Sequence, residues 1–260
     1  MGDERQTVSR KEPPRLASSG TRPAELPLPT PRCVIFDVDR TLVEPGAAFS
    51  PEGYVATGER FDLALDPARW REGQAEALAA YRASYQANEL AHDDDVFERF
   101  AEIVVRAMAD PGADAQAVRD CAAAVLDAWN TYENFSLYPD VTPCLERLHA
   151  AGLRIALLSN TNRDLQAIVA HFALSRLVDA TVTSAQIGHV KPSPRIFVAV
   201  LDVLHAGADE TVMVGDSYEE DVRGALAAGL GAILLDRHSR APLGCPTITS
   251  LLELPAALGL

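Results

Sequence analysis

An apolar run that ends in two aspartates constrains the fold of this chain more than any other stretch. The run is Cys33-Val34-Ile35-Phe36, and Asp37 and Asp39 follow it one residue apart. Four consecutive apolar residues before a polar turn are typical of a parallel strand that helices cover on both faces. The aspartates could form only a local Asx turn, because Asp is common in turns. If they face one pocket instead, they repel each other, and Mg²⁺ would relieve the repulsion.

The C-terminal half of the chain alternates between short apolar runs and amphipathic stretches. This alternation predicts strands joined by helices, and therefore an α/β fold with a doubly wound parallel sheet. The expected strands cover residues 154–158, 177–183, 211–214 and 232–235, with a weaker one at 246–248. The expected helices cover residues 141–151, 164–172, 194–205, 220–228 and 251–258.

The stretch between the first strand and this alternating half predicts an inserted α-helical cap subdomain. Residues 45–66 contain several glycines and prolines and are expected to form a loop. Apolar residues at helical spacing then predict helices over 70–90, 93–108 and 114–132, with no strand between them. We therefore expect the cap at residues 44–137 and a Rossmann-like core at 32–43 and 138–260. Residues 1–31 are polar and proline-rich, and we expect a disordered tail.

Charge and cysteine usage narrow the classes of partner. The formal net charge is −14 and no block of Lys or Arg is present, which argues against nucleic acid and anionic membranes as partners. The apolar runs are far shorter than a membrane span. The 4 cysteines are scattered without a C-x-x-C pair, so we expect reduced thiols and a cytoplasmic protein. The sequence does not indicate an oligomeric state.

Polar residues follow three of the predicted strands, at their carboxyl ends. Asp37 and Asp39 follow the first, Ser159 and Asn160 follow the second, and Asp216 follows the third. Ligands of open α/β sheets bind at this edge, so these side chains are candidates for one site.

Four short motifs, in order along the chain, resemble those of the haloacid dehalogenase superfamily, which is dominated by phosphatases. The first is D-x-D-x-T over Asp37–Thr41, and the second is the Ser159-Asn160 pair at a strand end. The third is Lys191 in a loop, and the fourth is Gly215-Asp216 with Asp221 five residues after the aspartate. The resemblance covers roughly residues 32–240 and places the helical insert as a cap after the first motif.

The resemblance implies a mechanism and a site. Asp37 would be the nucleophile that forms an aspartyl-phosphate, and Asp39 would be the general acid and then the general base. The phosphoryl group would be bound by Thr41, Ser159, Asn160 and Lys191, and Thr41 would also hold the loop that carries the two aspartates. Mg²⁺ would be bound by Asp37, Asp39 (through its backbone carbonyl), Asp216 and Asp221. Lys191 would also act in catalysis, by neutralising negative charge on Asp37 and on the phosphoryl group.

The expected activity is Mg²⁺-dependent hydrolysis of a small-molecule phosphate monoester beneath the cap. We expect Phe49, Tyr54, Tyr81 and Tyr85 to contribute to specificity, whereas the identity of the ester is not determined. A phosphomutase or other phosphotransferase remains an alternative, as does a non-catalytic binding module. A haloacid dehalogenase is disfavoured because it needs no acid two residues after the nucleophile. A phosphonoacetaldehyde hydrolase is disfavoured because residues 44–137 contain no lysine for a Schiff base.

Overall fold

The computed structural model describes residues 31–87, 95–238 and 244–260, except for the side chains of residues 85–87. The predicted disordered tail, apart from Pro31, therefore lies outside the described residues, as does the expected start of a helix at residue 93. No helix in the described ranges is long and apolar enough to cross a membrane.

Six parallel strands form one sheet. They are β1 (Cys33–Phe36), β4 (Arg154–Ser159), β5 (Ala180–Thr183), β6 (Thr211–Gly215), β7 (Gly231–Leu235) and β8 (Thr247–Ile248). Their order in the sheet is β5-β4-β1-β6-β7-β8. The central strand β1 pairs with β4 on one side and β6 on the other, so that Phe36 lies opposite Leu157 and Val214. This register brings the carboxyl ends of the three strands to the same edge.

Helices cover both faces of this sheet, which confirms the predicted doubly wound α/β fold. Alternate residues of β1 point to opposite faces. Val34 and Phe36 lie in one apolar core, and Cys33 and Ile35 lie in the other. The first core is closed by α5 (Val141–Ala150), α6 (Leu165–His171) and α10 (Leu254–Ala257). The second is closed by α8 (Pro194–Leu204), a π-helix (Tyr218–Arg223) and α9 (Gly224–Ala227), and the short α7 (Ser184–Ile187) follows β5.

A helical insert separates β1 from the rest of the sheet. The chain enters and leaves it through an antiparallel two-stranded ribbon, β2 (Val43–Pro45) and β3 (Phe135–Leu137). The helices between these strands are α1 (Pro51–Glu59), α2 (Trp70–Ala87), α3 (Val96–Met108) and α4 (Ala115–Trp129). They share an apolar cluster of their own, which includes Val104, Met108 and Cys121. The insert therefore has its own core, as a separately packed unit requires.

The prediction of a loop over residues 45–66 was wrong, because this stretch contains the helix α1. Ser50 caps that helix by accepting a hydrogen bond from the Gly53 amide at 3.1 Å, and Pro51 occupies its first turn. The glycines that suggested a loop allow close packing instead. A Cβ on Gly53 would lie 2.2 Å from the Ala47 carbonyl oxygen, and one on Gly58 would lie 2.8 Å from the Leu65 side chain.

Candidate active site

A buried lysine bridges two aspartates at the carboxyl edge of the sheet. Asp37 directly follows β1, and Asp221 lies in the π-helix that follows β6. The Nζ atom of Lys191 donates to Asp37 Oδ1 at 2.7 Å and to Asp221 Oδ1 at 2.6 Å. All three side chains are buried, so these are strong charge-assisted bonds in a low-dielectric environment.

Asp216 adds a third carboxylate to this group. Asp37, Asp216 and Asp221 each offer one oxygen, and the three oxygens lie within 4.8 Å of one another. Asp37 and Asp221 are buried, whereas Asp216 is exposed, so the group is open on one side. Oxygen ligands that converge from one side suit Mg²⁺, which usually keeps several waters or substrate oxygens in its coordination shell. These residues therefore fit a magnesium ion.

The local backbone orients Asp221 toward this group. Its Oδ2 accepts a hydrogen bond from the Ser217 amide at 3.0 Å, and the π-helix replaces the first turns of the helix expected from residue 220. Gly215 leaves room for that carboxylate, since a Cβ there would lie 2.1 Å from Asp221 Oδ2. The glycine of the fourth motif is therefore required by close approach, and not only by a turn.

The ionisable groups show that negative charge is in excess. Burial raises the pKa of Asp37 to about 6, and the charge of Asp221 adds to the effect while Lys191 opposes it. The pKa of Asp216 is also raised, to about 8, because the surrounding protein displaces part of the water around its carboxyl group and because Asp37 and Asp221 carry negative charge. Burial lowers the pKa of Lys191, but Asp221 and Asp37 outweigh it and the net shift is upward. One ammonium does not balance the carboxylates, and a bound cation would.

Glu220 is a further acid at this edge that the sequence prediction missed. Its Oε2 accepts from Asn160 Nδ2 at 3.1 Å. Burial raises its pKa to about 7, while Lys191 lowers it and Asp221 raises it. Its position immediately before Asp221 was the available signal, but an acid near a helix start is usually a solvated residue.

We predict that the metal-free protein loses stability as the pH rises from about 4 to about 7. A carboxyl with a raised pKa binds its proton more tightly in the folded than in the unfolded chain. Its contribution to stability is therefore lost as the pH rises from its ordinary pKa to its pKa in the folded chain. This range is 3.8 to about 6 for Asp37 and 4.5 to about 7 for Glu220. Because water reaches Asp216, this carboxyl contributes less to the pH dependence of stability. Thermal midpoints measured in EDTA would test this, and a midpoint that rises across the window would contradict it.

Asn160 holds the Lys191 loop in place. Its Oδ1 accepts from the Lys191 amide at 2.7 Å, and its Nδ2 donates to the Lys191 carbonyl at 3.0 Å. The same Nδ2 lies 3.5 Å from the hydroxyl of Tyr81 on α2. The side-chain amide is thus engaged with protein atoms, and the expected contact of Asn160 with phosphate stays a prediction. Ser159, the other residue of this motif, is buried at the end of β4.

Asp39 is separated from the Lys191 group and contacts an arginine. Both of its carboxylate oxygens pair with Nη2 of Arg163, a residue that follows β4 and that sequence reasoning did not select. The available signal was a basic residue four positions after the end of a strand, which is too common to interpret alone. The pair connects the first motif to the loop of the second.

Thr41 belongs to the loop that carries Asp39, and it is fully buried. Its Oγ1 has no hydrogen-bond partner in the part of the chain that the structure describes. Its carbonyl accepts from Arg237 Nη2 at 2.8 Å, and Arg237 also pairs with Asp140 at 2.9 Å. These contacts agree with the expectation that Thr41 holds this loop. Its contact with a phosphoryl group stays a prediction.

The four expected specificity residues are placed differently from one another. Phe49 is buried against Trp129 and Phe135, with ring centroids 4.9 and 5.3 Å away. Tyr54 is buried in the core of the insert, and burial raises its pKa to about 12. The expectation that these two contact substrate does not fit, because apolar packing encloses them. Tyr81 does reach the site through Asn160, and the side chain of Tyr85 lies outside the described residues.

Comparisons with known proteins agree with this site. The haloacid dehalogenase-like hydrolase family matches residues 31–229. The chain is 31% identical over 211 residues to ribulose-1,5-bisphosphate 5-phosphatase of Halopiger xanaduensis, and the aligned region covers 78% of this chain and 84% of that protein. It is 27% identical over 205 residues to human haloacid dehalogenase-like hydrolase domain-containing protein 3, covering 78% and 81% of the two chains. A crystal structure of a dehalogenase with an intermediate complex superposes with a TM-score of 0.63 at 24% identity, covering 87% of this chain and 96% of that one.

Proposed function

Because the chain belongs to the haloacid dehalogenase-like hydrolase family, we propose that it hydrolyses a small-molecule phosphate monoester through an aspartyl-phosphate on Asp37. The observation that carries the proposal is the contact of Lys191 with both Asp37 and Asp221, beside the open carboxylate of Asp216. The similarity to a ribulose-1,5-bisphosphate 5-phosphatase supports the choice of a phosphate ester.

In the first step, a carboxylate oxygen of Asp37 attacks phosphorus and the bond from phosphorus to the ester oxygen breaks. Lys191 holds Oδ1 of Asp37, which leaves Oδ2 for the attack. Asp39 donates its proton to the departing oxygen, so the alcohol leaves neutral. Asp39 then takes a proton from water, which attacks the same phosphorus and releases phosphate and the free Asp37 carboxylate.

A divalent cation would complete the charge balance of this site. Asp37, Asp216 and Asp221 would hold Mg²⁺, together with the backbone carbonyl of Asp39. When bound, Mg²⁺ supplies positive charge against the phosphoryl oxygens, beyond what Lys191 alone provides. The raised pKa values of Asp37 and Asp216 support this proposal, because these carboxyl groups are partly withdrawn from water and lie close to other carboxylates that Lys191 alone does not neutralise.

We propose that the insert at residues 44–137 acts as a cap over this edge. Tyr81 of α2 lies against Asn160, and Val96 and Phe97 of α3 pack against Val190, the residue before Lys191. The insert thus directly contacts Asn160 and the loop that carries Lys191. A cap in this position would exclude water and large substrates. These contacts support a small soluble ester rather than a protein substrate.

Asp39 favours phosphate hydrolysis over dehalogenation. A dehalogenase shares the fold, so the fold alone does not select the reaction. An alkoxide leaving group needs a proton, whereas a halide does not, and Asp39 offers an acid two residues from the nucleophile. Arg163 holds the Asp39 side chain in place, which supports a function of Asp39 in the reaction.

Replacing Asp216 with asparagine should raise the Mg²⁺ concentration needed for half-maximal phosphate release by at least about tenfold, in line with the loss of an anionic ligand. Phosphate release titrated with Mg²⁺ measures this. Asp202→Asn, which removes an exposed carboxylate on α8, is the matched control and should leave the titration unchanged. An unaltered titration for Asp216→Asn would show that the ion is bound elsewhere.

A further inference from the structure

Arg163 is an unusually well-buried cation beside a catalytic candidate. Its side chain is 1% exposed, while that of Asp39 is 21% exposed. Its Nη2 contacts both carboxylate oxygens of Asp39, and its Nη1 has no partner among the described residues. The guanidinium thus faces Asp39 from the protein interior and leaves the other side of that carboxylate open to solvent.

Three separate parts of the chain hold the Arg163 guanidinium. Its central carbon lies 5.2 Å from the ring centre of Trp129, at the end of α4, and 5.0 Å from that of Phe135, in β3. Its Nε donates to Thr161 Oγ1 at 3.3 Å. Cation–π contacts of this kind in a desolvated setting hold both the position and the plane of the group.

Stability alone is a poor explanation for this arrangement. Burying a charged pair removes both ions from water, and replacing both partners with apolar side chains of similar size often stabilises a core equally well. The apolar surroundings of Arg163, which include Val43 and Ile168, would accept such a side chain. An arginine that orients one reacting carboxylate explains its presence better.

We propose that Arg163 is a positioning residue for Asp39, holding its carboxyl group where it can protonate the leaving oxygen. This inference rests on the proposed function. When one oxygen of Asp39 carries the proton, the other can still accept from Nη2, so Arg163 can orient Asp39 in both protonation states. Because its side chain is buried, Arg163 does not itself contact substrate. Its contacts with Trp129 and Phe135 also link the helical insert to the general acid.

The test uses two esters whose leaving groups differ in their need for a proton. p-Nitrophenyl phosphate releases a stable anion, whereas glycerol phosphate releases an alkoxide that must be protonated. Arg163→Met should lower kcat for glycerol phosphate by about 10²-fold, the contribution typical of a general acid. It should lower kcat for p-nitrophenyl phosphate much less, with KM nearly unchanged for both. Arg163→Lys keeps a donor and should recover part of the loss.

Ile168→Val is the packing control, because Ile168 lines the same apolar pocket as Arg163 and the change disturbs packing without removing a cation–π contact of Arg163 or the donor to Asp39. It should change both ester rates by the same small factor. If Arg163→Met lowers both rates equally, Arg163 is structural and the proposal is wrong. If the methionine variant does not fold, Arg163→Lys is used for the same comparison. A rate increase with glycerol phosphate would also overturn the proposal, because Arg163 would then restrain Asp39 from acting. Release of phosphate from no small phosphate ester by the unaltered protein would instead contradict the proposed function, which distinguishes that failure from failure of the positioning proposal.

Discussion

Asp37→Asn should lower phosphate release by at least about 10³-fold while leaving the fold intact, since a neutral amide is a far weaker nucleophile than a carboxylate. The amide oxygen can still accept the hydrogen bond that Lys191 donates to Asp37 Oδ1. The substitution also removes the negative charge of Asp37, whose pKa is already raised to about 6 in the folded protein. We therefore expect a small change in thermal midpoint, which separates loss of chemistry from loss of structure.

The measurement is phosphate release with Mg²⁺ present, together with circular dichroism and thermal unfolding of the same preparation. Asp202→Asn makes the same chemical change at an exposed position on α8 and should keep full activity. Residual release within about tenfold of the unaltered protein would exclude Asp37 as the nucleophile, because loss of a covalent nucleophile has a much larger effect.

Lys191→Met should impair both stability and activity. It leaves Asp37 and Asp221 buried without their shared cation, and breaking a buried ion pair in this way costs about 3–5 kcal/mol. For a chain of this size that loss lowers the thermal midpoint by roughly 10 °C. The loss should diminish as the pH falls below about 6, because protonated Asp37 no longer needs a counter-charge.

The same substitution should reduce phosphate release by at least about 10²-fold, measured at a temperature where the variant is folded. Lys11→Met, which removes the other lysine of the chain, is the control and should change neither property. A Lys191→Met variant with unchanged stability and activity would mean that the Lys191 contacts with Asp37 and Asp221 have no energetic importance.

The sequence was sufficient to predict the fold, because the relevant signals are local. The apolar run at Cys33–Phe36 and its later counterparts predicted parallel strands, and the structure confirms them. Parallel strands place their carboxyl ends at one edge, so topology predicted that Asp37 and Asp216 share a site, and the resemblance to the haloacid dehalogenase superfamily added Asp221. The structure brings these three carboxylates together, although their chemical functions stay predictions.

The parts that the sequence did not predict depend on packing between distant residues. Arg163 and Asp39 are 124 positions apart, and no local pattern connects them. The orientation of Asn160 toward the Lys191 backbone likewise depends on a loop 31 residues away. Phe49 was expected near substrate because it lies in a glycine- and proline-rich stretch. In the fold it packs against Trp129 and Phe135, so its burial comes from tertiary contacts.

Phosphate release from a panel of small phosphate esters, measured with Mg²⁺ and with EDTA, tests the central claim most directly. We expect release from at least one ester with Mg²⁺, little or none with EDTA, and none above background for Asp37→Asn. A parallel assay of halide release from a 2-haloacid should be negative. Halide release without phosphate release, or phosphate release that EDTA does not reduce, would contradict the account.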